Sequence, residues 1–119
     1  MVVDSATSER GVDELFQALA DPTRRDVLRR VGGGQYSVSQ LAKQYPMSFA
    51  AVQKHVAVLE RAGLITKHRR GREQIVLARE EGLLRAQAVL ADVESVWRGR
   101  VDRMTQLLAK EPPPKGPTS

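Results

Sequence analysis

Between Ser37 and Gly63 the chain spells out two helix starts, a turn and a stop, which leaves little freedom in how this stretch folds. Ser37-Val38-Ser39-Gln40 is a capping box, with Ser at the cap and Gln three positions on. It predicts a short helix to about Gln44, followed by a turn at Tyr45-Pro46-Met47. Ser48 caps the next helix, Phe49 to about Ala62, and Gly63 stops it. Val52, Val56 and Leu59 recur at helical spacing and form its inward face. Upstream, Asp21 is a good N-cap and Pro22 suits the first helical position. That helix runs through Val27, Leu28 and Val31 to Gly32-Gly33-Gly34, where glycine costs about 1 kcal/mol per residue in a helix interior. Val12, Leu15, Phe16 and Leu19 predict an earlier helix, from about Glu9 to Ala20. Residues 1–8 are small and polar and are expected to fray.

Downstream, Leu64 to His68 and Glu73 to Leu77 are strand-like, with Arg69-Arg70-Gly71-Arg72 as the turn. The run Ile75-Val76-Leu77-Ala78 does not alternate cleanly. From Glu80 to Lys110 comes a long amphipathic helix. Leu90, Val93, Trp97, Val101, Met104 and Leu108 fall three or four apart and make one seam, which Gly82 and Gly99 weaken locally. A helix of ~30 residues is roughly 45 Å long. A small domain does not cover such a seam alone, and a second copy is the simplest cover. The residues from 111 to 119 begin a Pro-rich, disordered tail. The expected architecture is mainly α: a winged helix-turn-helix with a two-stranded hairpin wing and a long C-terminal dimerisation helix. It occupies 9–110 as one domain.

Charge is partitioned along the chain. Residues 1–21 hold one Arg against five acids, and residues 22–79 hold twelve Lys/Arg against three acids. Residues 80–119 hold six of each, so the net charge of +5 belongs to the middle segment. Clustered cations on a helix pair and hairpin are the electrostatic footprint of a nucleic-acid binder. Other classes recede. With no cysteine there is neither a disulfide nor a thiolate metal site. No basic patch leads into an apolar run at the N-terminus, and no stretch approaches the ~18–20 apolar residues of a membrane span. A cytoplasmic protein without a cofactor is expected. Both histidines, His55 and His68, lie in the basic region, and no nucleophile–base pair suggests an enzyme.

The second helix of such a pair enters the major groove. Its outward residues are Ala50, Gln53 and Lys54, with Phe49 and His55 at the edges of the inward face. Gln bonds bidentately to adenine, and Lys to guanine or phosphate. Ser48 stands where free backbone N–H groups hold a phosphate. Arg69, Arg70 and Arg72 suit phosphates or an adjacent minor groove. Phe49 has two readings, contact with a thymine methyl or packing against the turn at Tyr45. His55 has two as well, a packing residue or a contact to phosphate or base. His68 reads as an exposed wing residue. Trp97 fits seam packing far better than a ligand pocket, and Met47 and Met104 read as core filler. Asp92, Glu94 and Asp102 are read as the solvated face of the last helix.

Three runs resemble the ArsR/SmtB family of winged-helix repressors: Leu15 to Val31 (LFQALADPTRRDVLRRV), Ser37 to Ile65 and Arg69 to Leu77. The resemblance implies a homodimer built on the first and last helices, which adds Leu15 and Phe16 to the seam residues as dimerisation candidates. It implies double-stranded operator DNA of pseudo-palindromic form as partner, in the chain's own or a neighbouring promoter, and repression by blocking polymerase. Carried over by motif position, the DNA-facing residues are Ser48, Ala50, Gln53, Lys54 and His55, with Arg70 and Arg72 in the wing. The chain departs from the family in sensing. Where many members have a Cys-Val-Cys metal motif, it has Ser37-Val38-Ser39, and its last helix has no His. Neutral hydroxyls are poor ligands for soft metals, so no metal site is expected and the inducer is not legible. The competing readings are an architectural protein that binds DNA without sequence choice and a protein-interaction module built on the long helix.

Overall fold

The structure is a computed structural model that describes the backbone of residues 2–110 and the side chains of 11–109. Its elements are α1 (Val2–Leu19), α2 (Pro22–Gly32), β1 (Tyr36–Ser37), α3 (Val38–Ala42), α4 (Phe49–Arg61), β2 (Ile65–Arg70), β3 (Glu73–Ala78) and α5 (Glu80–Lys110). Each helix of the central segment starts on the residue whose side chain caps it. Asp21 Oδ1 accepts from the Arg24 N–H at 3.0 Å. Ser37 Oγ accepts from Gln40 N–H at 3.0 Å while Gln40 Oε1 accepts from Ser37 N–H at 2.8 Å, completing the capping box. Ser48 Oγ accepts from Ala51 N–H at 3.1 Å. Helix α3 ends at Ala42, short of the expected Gln44, whose N–H instead bonds back to Leu41 O at 2.9 Å.

Helix α1 differs from expectation. It begins at Val2, ahead of the expected start near Glu9. Propagating a nucleated helix costs little per residue, so the stripe from Val12 to Leu19 carries polar residues with it. The Pro-rich tail, 111–119, lies outside the described residues. At the other end of α1, Arg24 donates through Nε to Ala18 O at 2.8 Å and through Nη2 to Gln17 O at 2.7 Å. Arg25 Nη1 donates to Leu19 O at 2.8 Å. These bonds give Ala18 O and Leu19 O acceptor roles in the last turn, and Gln17 O, which also accepts from the Ala20 N–H at 3.2 Å, a second one.

The sheet has three strands in the order β1-β3-β2, all antiparallel: the expected two-stranded hairpin, β2 and β3, with the short β1 added to it. Strand β1 is only Tyr36 and Ser37, opposite Val76 and Ile75, too short to leave a periodic signal. It makes β3 the central strand. Helices α2 and α3 pack against β3, and Ile75 and Val76 are both buried, so the run does not alternate. Leu15, Val27, Leu41, Val52, Val56, Leu59, Leu64 and Val76 form one core from α1, α2, α3, α4 and the sheet. Leu15, one of the dimerisation candidates, is fully buried in this core of the single chain. Phe16 is half-buried.

The chain divides into two compact units, residues 1–87 and 88–119. In the second, Leu90, Val93, Trp97, Val101, Met104 and Leu108 are between 49% and 71% exposed, and Val96 and Leu107 widen the apolar surface. Among the described residues no helix is long and apolar enough to cross a membrane.

Candidate nucleic-acid interface

Helix α4 is held by its buried face, Val52, Val56 and Leu59, each no more than 1% exposed. Ala50, Gln53 and Lys54 therefore stand exposed on the other side, as the spacing predicts. The wing is set by its turn. Arg70 pairs with Glu73, leaving Gly71-Arg72 as a two-residue loop. Gly71 has φ 64° and Arg72 has no positive φ, the pattern of a type II′ hairpin with Gly first. Arg69, Arg70 and Arg72 are exposed around it, with Arg69 Nε donating to Gly71 O at 3.3 Å.

Helix and wing face each other across a cleft of about 280 Å³. Phe49 and Gln53 line it from α4, Val38 and Ser39 from α3, and Lys67, Arg72, Glu73 and Gln74 from the hairpin. The structure thus brings Phe49, Gln53 and Arg72 together. Ser48, Ala50, Lys54, Arg69 and Arg70 are exposed but do not line the cleft. Ser48 spends its acceptor on the α4 cap, while the N–H groups of Phe49 and Ala50 precede the first intrahelical bond. Phe49 is 47% exposed in the cleft, whereas Tyr45 and Met47 pack against the core.

His55 belongs elsewhere. Its Nδ1 lies 3.2 Å from Arg24 Nη1 and 4.0 Å from Asp21 Oδ1, and its side chain is half-buried. A guanidinium only donates, so Nδ1 is the acceptor. His55 joins α4 to the start of α2, which is the packing reading. The Asp21 carboxyl is held below its usual value, first by the Arg24 backbone N–H.

Sequence reasoning missed the lock beneath the turn. Tyr45 OH donates to Asp26 Oδ2 at 2.7 Å, and Arg30 Nε donates to the same oxygen at 2.9 Å. The Arg30 guanidinium lies 5.6 Å from the Tyr45 ring centre, and its Nη1 donates to Gln44 Oε1 at 3.2 Å. The Tyr45 bond, then the Arg30 bond, lowers the Asp26 pKa. Burial, then the bond to Asp26, pushes the Tyr45 phenol up to about 12. This cluster ties α2 to the turn that sets the approach of α4. The cleft residues Ser39, Lys67, Glu73 and Gln74 were missed too. Only the pairing of strand and helix faces in space marks them out.

Ser37, at the position of the first cysteine of the family's metal motif, is 1% exposed and committed to the α3 cap. Among the described residues no three potential ligand side chains gather as a metal site.

Residues 19–68 match the sequence profile of a helix-turn-helix domain. The HTH-type transcriptional regulator Rv2034 of Mycobacterium tuberculosis is 32% identical over 102 residues, covering 86% of this chain and 92% of that protein. The transcriptional repressor SdpR of Bacillus subtilis is 32% identical over 60 residues, covering 50% and 67%. Among solved structures, the ArsR family transcriptional regulator RHA00566 is 38% identical, with a TM-score of 0.71 over 76% of this chain and 93% of that one. The homodimeric winged helix-turn-helix DNA-binding domain of Mb0332 from Mycobacterium bovis is 26% identical, with a TM-score of 0.62 over 73% and 83%. By these likenesses the chain belongs to the ArsR family of winged helix-turn-helix transcriptional regulators.

Proposed function

We propose that this regulator acts in the cytoplasm as a homodimer on a pseudo-palindromic operator and represses transcription by occluding polymerase, its own promoter being a target. The cleft shared by α4 and the wing carries the reading, because it lets one unit straddle a strand of duplex DNA. Gln53 and Lys54 then meet base edges in the major groove, and Phe49 meets a thymine methyl. Arg72, with Arg69 and Arg70, lies against phosphates or the adjacent minor groove. The exposed apolar seam of α5 and the half-buried Phe16 supply the contact between copies. A homodimeric relative and a repressor relative support assembly and mode of action. Two units related by a two-fold axis read half-sites about one helical turn apart.

The test is salt-titrated binding to DNA from upstream of the chain's own gene, with random duplex as competitor. Selective binding at least ~10³ over random sequence, with a symmetric footprint, is expected. Equal competition by random duplex replaces this reading with sequence-tolerant architectural binding. Absence of binding in moderate salt removes it.

A further inference from the structure

We infer that Glu73 is a specificity-determining residue of the DNA surface, its carboxylate accepting a hydrogen bond from the exocyclic amine of one G·C pair. This rests on the DNA-binding reading above and goes beyond it. Three acids lie among the twelve cations of residues 22–79: Asp26, Glu60 and Glu73. Two are committed. Asp26 binds Tyr45 and Arg30, and Glu60 Oε1 lies 3.3 Å from Lys67 Nζ. Glu73 differs. It is exposed, it lines the cleft with Gln53, Lys67 and Arg72, and among the described residues it makes no ion pair. Its cross-strand neighbour is Arg70, yet no ion pair within 4.0 Å joins them.

Phosphates offer only acceptors, so a carboxylate at a DNA surface is repelled unless a base supplies a donor. Cytosine N4–H₂ in the major groove is such a donor, and guanine N2–H₂ is its minor-groove counterpart; adenine N6–H₂, the other major-groove donor, is flanked on both sides by acceptors, adenine N7 and thymine O4, which repel a carboxylate. At the wrong base pair the carboxylate faces another acceptor, and the sequence is rejected by repulsion as well as by a lost bond. A cation in the same place would strengthen every complex. An acid strengthens one and weakens the rest.

The experiment measures Glu73→Gln and wild type, full-length, against the operator duplex, a set with each base pair changed in turn, and random duplex. Wild type is expected to prefer G·C at one pair by about tenfold. Glu73→Gln loses the preference at that pair alone, and binds random duplex about five- to tenfold tighter at 0.1 M salt. Glu60→Gln is the control, since Glu60 pairs with the cleft residue Lys67 but does not itself line the cleft, and it shifts all sequences together. A uniform shift by Glu73→Gln, or none, overturns the inference while the DNA reading stands. Wild type that binds neither duplex overturns both.

Discussion

Gln53 and Arg72 line one cleft but, on the proposed reading, meet different parts of a duplex, so their losses are distinguishable. Gln53→Ala is expected to cost about 1–3 kcal/mol at one base pair and to relax preference there. Arg72→Ala is expected to weaken all sequences alike and to flatten the salt slope by about one unit. Binding titrations at several salt concentrations check both, and equal affinities of all three proteins for one operator refute the assignments. Tyr45 acts at a distance from the duplex. Removing its bond in Tyr45→Phe lets the Asp26 pKa rise toward its ordinary value. A carboxylate lowered by folding adds stability above its unfolded value, 3.8, and loses it as pH falls through the folded value. Acid unfolding followed by circular dichroism should therefore move to higher pH in Tyr45→Phe. The phenol runs the opposite way. Its folded value of about 12 exceeds the unfolded 10, so its contribution is present below pH 10 and lost as pH rises through 12.

Among elements, the two glycines of α5 differ in a way that no helix propensity reports. A Cβ at Gly82 would lie 2.9 Å from the Gly63 carbonyl carbon, closer still to its oxygen, and 3.0 Å from Leu64 Cδ2. Gly82 therefore lets the start of α5 press against the backbone that ends α4. A Cβ at Gly99 would meet only Arg103 Nη1 at 3.5 Å, an ordinary contact. Gly82→Ala should destabilise by about 1–3 kcal/mol through overpacking. Gly99→Ala should stabilise by about 0.5–1 kcal/mol, as glycine removal from a helix interior does. Thermal melts of the two variants check the opposite signs. The capping residues were legible because each cap is a local bargain between a side chain and an N–H two or three residues on. Strand β1 and the Asp26–Tyr45 lock were not, because their partners lie far along the chain.

For the whole molecule, the apolar seam of α5 is where assembly is expected to register. Trp97, the only tryptophan, is 61% exposed in the single chain. Concentration-dependent burial should shift its fluorescence to the blue, with a mass of two chains by sedimentation. Val101→Asp puts a charge into the seam and should leave a folded monomer whose operator affinity falls steeply, because one half-site remains. A monomeric wild type with unshifted fluorescence at every concentration would remove the seam as the interface.

The sequence by itself determined the helix starts at Asp21, Ser37 and Ser48, the buried face of α4, the basic hairpin and the partition of charge. Caps, turns and periodicity are short-range physics, written in residues a few positions apart. Only the tertiary structure decided that Leu15 is core, that His55 binds Arg24 and that Glu73 shares a cleft with Gln53. In the sequence Leu15 and Phe16 are neighbours on one apolar stripe, and His55 follows Lys54 on a basic helix. Which of each pair faces inward depends on what packs beside it, and that neighbour comes from elsewhere in the chain.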